Sequence, residues 1–219
     1  KGSEWGEGCW CGWAANKVGN VDIDARSDSR SSSTVAAAAL AIGGGGTAGV
    51  GVSIGIGVAQ NFIGWQPGQP NATPAPAEVQ AYLRDTSVVS DDAITLDALA
   101  DQSINSMVLA GSAAVGAGGT AGVGIAGSGV LSENKIGVNT RAFIDGTGTQ
   151  GIVADSVSLV ATDTSAINAF AGAASLAVSL GGTVGVSVAI GISLAKNLIT
   201  SDVSAYILNA QNIVGDISL

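Results

Sequence analysis

An all-β fold made of a repeated unit is predicted by three observations: strict alternation of large with small residues, three alignable copies of one motif, and a Gly pair at the same place in each copy. The alternation is clearest at 184–194, where Val184, Val186, Val188, Ile190, Ile192 and Leu194 are separated by Gly185, Ser187, Ala189, Gly191 and Ser193. A period of two belongs to a strand and not to a helix. One face of this strand is branched and bulky while the other is small and uncharged, so both can be covered by protein. The expectation is that Val186, Val188, Ile190 and Ile192 point into a core shared with Val52, Ile54 and Ile56.

The copies align on Gly-Gly-Thr, which places Gly45-Gly46, Gly118-Gly119 and Gly181-Gly182 in equivalent turns. In the same register Val21, Ile94 and Val157 open the units, and Asn61, Asn134 and Asn197 recur after the alternating strand. An Asn at a corner, bonding the backbone of adjacent layers, explains that recurrence without chemistry. Copies two and three are offset by 63 residues and copies one and two by 73, the excess being a Pro-rich insertion at 65–76 that reads as a surface loop. The organisation is thus a non-repetitive start (1–20), repeat one (21–93), repeat two (94–156), repeat three (157–216) and the opening of a fourth (217–219). Two foldings fit. In a β-solenoid resembling a parallel β-helix, each unit divides into about three coils of roughly 21 residues. In an array of stacked long antiparallel β-hairpins, the Gly-Gly turn pairs Leu180 with Val184. The solenoid is preferred.

Composition narrows the function classes. With 33 Gly, 11% charged residues and 4% aromatics, the core is built from small and β-branched side chains. A net charge of −9 with eight scattered cations leaves no footprint for nucleic acid. The uncharged runs 31–77, 102–132 and 164–195 exceed the length of a spanning helix, but Gly pairs interrupt them and their period is two. Insertion as barrel-like strands is not expected either, because the small Ala and Gly face would have to line water.

No His-based triad or His metal ligand is possible in a chain without His, and the Asp residues at unit boundaries read as solvated turns. No catalytic, cofactor-binding or metal residues are assigned and the chain is not read as an enzyme. Asp145-Gly-Thr-Gly-Thr and Asp22/Asp24 could supply a few oxygens to an adventitious Ca²⁺, short of the six to eight the ion prefers. Cys9 and Cys11 are too few for a zinc site, and their Trp-rich segment reads as a terminal cap. Asn71-Ala-Thr is a glycosylation sequon.

The stretches Asp155-Ser-Val-Ser-Leu-Val-Ala-Thr-Asp-Thr-Ser-Ala-Ile-Asn-Ala, Gly181-Gly-Thr-Val-Gly-Val-Ser-Val-Ala-Ile-Gly and Val203-Ser-Ala-Tyr-Ile resemble repeats of large secreted bacterial surface proteins. These are the filamentous-haemagglutinin-like adhesins and leukotoxin-like exoproteins. The resemblance covers 21–219 and implies an extracellular, fibre-like repeat region used for adhesion or surface structure, on or outside a bacterial cell, with host or neighbouring cell surfaces as partners. A membrane-acting exoprotein segment is the alternative it leaves open. The last partner expected is a second copy. Gly215-Asp-Ile-Ser-Leu219 restarts the unit, so Ile217 and Leu219 at one end and Val21 and Ile23 at the other are expected to meet head to tail in a filament.

Overall fold

A computed structural model describes residues 18–68, 72–211 and 213–219; the Cys9/Cys11 segment and Asn71 lie outside them. Long strands dominate, and no helix occurs among the described residues. Each copy runs out along one sheet, turns at the Gly pair and returns along a second sheet. The outward strands are β1 (Val21–Gly45), β7 (Ala93–Gly118), and in copy three β9 (Ile152–Asp163) followed by β10 (Ala166–Gly181). The return strands are β2 (Ala48–Ile63) with β5 (Ala77–Arg84), then β8 (Ala121–Asp145) and β11 (Val184–Leu208). In copy one the return is interrupted by a small antiparallel pair, β3 (Trp65–Gln66) with β4 (Thr73–Pro74). Short β6 (Val88–Val89) stacks under the start of β9, and β12 (Ile213–Ser218) adds a further row on it.

Both large sheets are parallel and open. The first runs β1–β7–β9–β12 with β10 also on β7, and the second runs β11–β8–β2 with β5 also on β8. Hydrogen bonds link equivalent positions: Val21 with Ile94 and Ile94 with Val157, Gly45 with Gly118 and Gly118 with Gly181. Two expectations are corrected here. The unit does not divide into three coils of about 21, because it spends about 25 residues in each sheet on a single pass. The strands flanking a Gly turn do not form an antiparallel hairpin either: β10 bonds to β7 and β11 to β8, so Leu180 and Val184 stand in different sheets.

The gap between the sheets changes character along the strands. Far from the Gly turns it holds a thick core in which Ile94, Leu96, Ile136, Val138, Ile144 and Leu159 are fully buried. Toward the turns the inward residues shrink to Ala, Ser and Gly, and the two backbones close on each other. A Cβ on Gly43 would fall 1.7 Å from the Val50 carbonyl oxygen, and one on Gly124 would fall 2.4 Å from that of Val178. No side chain fits there.

The small face is therefore the inner face, and this reverses the expectation for the bulky one. Ser187 Oγ donates to Ser179 Oγ (2.8 Å) and Ser193 Oγ to the Ala171 carbonyl (2.7 Å), so the small side of β11 looks across at β10. Val186, Val188, Ile190 and Ile192 point outward, as do Val52, Ile54 and Ile56; Ile54 is 67% exposed and Ile190 56%. Close approach of two Gly/Ala/Ser faces, tied by hydroxyl bonds, is incompatible with Ile in the same gap.

Candidate functional site

The features repeated from copy to copy are ladders of identical or matched side chains. Asn61 Nδ2 donates to Asn134 Oδ1 (2.7 Å), and Asn134 Nδ2 donates to Asn197 Oδ1 (2.8 Å). These Asn residues stand within strands β2, β8 and β11 with their amides turned inward, and Asn134 is fully buried. They are not corners. The chain turns instead at Asp85, Gly146 and Asn209, which share a left-handed backbone with φ of 48°, 80° and 52°. Asp, Gly and Asn are the residue types that tolerate it, a signal present in the sequence but scattered over three identities.

Bonds between unlike strands lock the two sheets at the same level. Asn61 Nδ2 also donates to Ser33 Oγ (2.9 Å), and Ser106 Oγ lies 3.0 Å from Ser132 Oγ. This polar belt marks a border on the outside too. On the first sheet the outward row Asn105–Asn168 lies on one side of it and Met107–Phe170 on the other. On the second, Gln60–Glu133–Lys196 lies on the charged side and Val58–Leu131–Leu194 on the turn side. On the turn side of the border, 35–59, 107–132 and 169–195 contain no charged residue.

The charged side is organised around Glu133. Its Oε1 meets Lys135 Nζ at 2.9 Å and Lys196 Nζ at 3.4 Å, and its Oε2 accepts from Gln60 Nε2 at 3.1 Å. The hydrogen bond from Lys135 holds its carboxyl below the usual range, with burial opposing and Lys196 and Gln60 adding to the lowering. Lys135 is itself buried, its ammonium 4.9 Å from the Trp65 ring centre and 5.6 Å from that of Phe62. The insertion thus folds back from copy one over copy two. Further from the border, Tyr82, Phe143 and Tyr206 stack with centroids 5.1 Å apart in both steps. Glu78 beside them is also lowered, first by the hydrogen bond from Asn139 (2.7 Å).

The remaining predicted residues fall at three places. Gly45-Gly46, Gly118-Gly119 and Gly181-Gly182 lie in turns stacked through Thr120 N to Thr47 O (2.9 Å) and Thr183 N to Thr120 O (3.0 Å). Val21 and Ile23 point into the thick core from β1, which carries a partner strand on one side only among the described residues. Ile217 pairs with Val157 through β12, and Leu219 just beyond is exposed. Asp145, considered for Ca²⁺, is bonded to Arg84 (3.5 Å) and to Asn209 Nδ2 (2.8 Å). Asp24 neighbours Asp97, and no group of three or more His, Cys, Asp or Glu converges among the described residues.

No protein-family model matches this chain, and neither a curated protein nor a solved structure is significantly similar to it.

Proposed function

We propose that the chain is a non-enzymatic, extracellular structural or adhesive repeat, a flat two-sheet β-solenoid whose copies stack into a rod and whose chains associate end to end. The observation that carries this reading is the equivalence of successive interfaces. Copy two receives from copy one, and gives to copy three, the same backbone register, the same Asn amide bond and the same aromatic contact. An interface that repeats by translation leaves at its end the surface it began with, and it propagates rather than closes. Asn197 in β11 has its Oδ1 engaged by Asn134, and a further Asn61 would continue the ladder by accepting from its amide N–H.

Electron microscopy of the purified chain tests this. Expected are unbranched filaments that grow along the stacking direction of the strands. Replacing Ile217 and Leu219 with Lys, or Asn197 with Lys, leaves the monomer folded and stops growth. Monomers alone at high concentration overturn the reading.

A further inference from the structure

The half of the molecule on the turn side of the polar belt is a thin blade that, apart from Val35, Val108 and Val130 packed inside next to the belt, carries its bulky side chains outside. On one outer face Val50, Val52, Ile54, Ile56 and Val58 of β2 continue through Ile125 of β8 to Val186, Val188, Ile190 and Ile192 of β11. The opposite face carries Leu40, Ile42, Leu176, Val178 and Leu180. The edge joining them is Gly-Gly-Thr, uncharged in all three copies. Exposed apolar surface of this extent marks a contact with something else.

A second copy paired on one face leaves the other face bare. A hydrocarbon phase covers both faces at once, and the dimensions suit it: 108–118 and 121–131 each extend about 36 Å, against a hydrocarbon core of about 30 Å, which brings the uncharged turn edge to the far headgroup layer. The border is at one level on both sheets, as a surrounding lipid boundary requires, and Trp65, Phe62 and Lys135 lie just beyond it on the charged side. Aromatic rings and a Lys at that depth suit a headgroup layer.

The geometry points to a lipid-docking blade: the turn-side half enters the acyl chains of a membrane, and the charged half stays in water. Its barrel-like objection is removed because the small face lines no water; it is closed against the opposite small face. Hydrocarbon tolerates no open strand edge, so the blade enters as a stack whose end strands are paired. In this the inference rests on end-to-end stacking. The net charge of −9 directs it to zwitterionic rather than anionic lipid.

The test is flotation of the full chain with phosphatidylcholine vesicles holding a trapped dye, with filaments followed by microscopy in parallel. Expected are co-flotation with the dye retained, weaker binding when anionic lipid is added, and a loss of roughly tenfold or more in bound fraction for Ile54→Glu with Ile190→Glu. That variant should keep its β-sheet spectrum and its filaments. Filaments that stay below the vesicles overturn the blade but not the fibre; flotation without filaments in water overturns the fibre, and the blade then stands only if vesicle-bound chains cross-link strand edge to strand edge within the lipid. Flotation of the variant at parental level, dye release, or lateral mats that exclude lipid each overturn the blade. Should the variant not fold, a fluorophore at Ile125→Cys, halfway along the outer face, in a Cys9→Ser, Cys11→Ser background decides: quenching by lipids brominated deep in the acyl chain supports the blade, and quenching by aqueous iodide overturns it.

Discussion

Ser106 and Ser132, from strands in different sheets, place their hydroxyl oxygens 3.0 Å apart across the gap at the level where both outer faces change from polar to apolar. Ser132 is fully buried and also accepts from Asn134 Nδ2 (3.1 Å). Ser132→Ala removes both bonds from a buried site and should cost about 1–3 kcal/mol. Ser132→Leu should cost at least as much, because the gap has no room for it. Chemical denaturation of the two variants checks both values.

The closeness of the sheets gives a paired Gly experiment. Gly124→Val places its Cβ against the Val178 carbonyl and forces the sheets apart, with an expected loss of about 3 kcal/mol or more. Gly127→Val, three residues along on the outer face, meets nothing within 4 Å and should fold as the parent does. Equal melting temperatures for the two variants would reject the inside-out arrangement.

Ile190→Asp separates the two faces most directly. With the side chain in a core, an unpaired buried charge would abolish folding. At 56% exposure the substitution should change stability by about 1 kcal/mol or less. Circular dichroism across a thermal ramp reads the difference.

Acid should weaken the molecule through Glu133. Its carboxyl ionises at lower pH in the folded chain than its ordinary value of 4.5, so on entering that window the unfolded chain binds the proton first. Stability is therefore complete above the ordinary value and is lost as pH falls through the lowered folded one. Glu133→Gln should flatten the acid side of the melting curve, and Glu78→Gln should flatten it further. A double variant with the parental acid slope would refute the assignment.

The period-two strands, the copies and their register were legible because alternation and Gly-Gly-Thr survive in every copy. Which face turns inward was not. A row such as Val184, Val186 and Val188 reads as a core by hydrophobicity alone, and only the opposing sheet shows that Gly and Ser occupy the narrow gap. The Asn residues were found by recurrence but misplaced, since an amide ladder inside a strand and an Asn at a turn leave the same mark in sequence. The corners at Asp85, Gly146 and Asn209 escaped because they share a backbone conformation and not an identity.

The long strands bond at separations of 63 or 73 residues, and within one copy the outward and return strands lie in separate sheets. A single copy consequently has almost no hydrogen-bonded structure to form by itself, and the first productive event must bring together two segments far apart along the chain. Such closure is slow, since its entropy is lost before any contact compensates. Once two copies are paired, each later one meets a ready template and adds at far smaller entropic cost. Folding of this chain is in kinetic terms nucleated growth: a lag set by the first pair, followed by rapid zippering along the array.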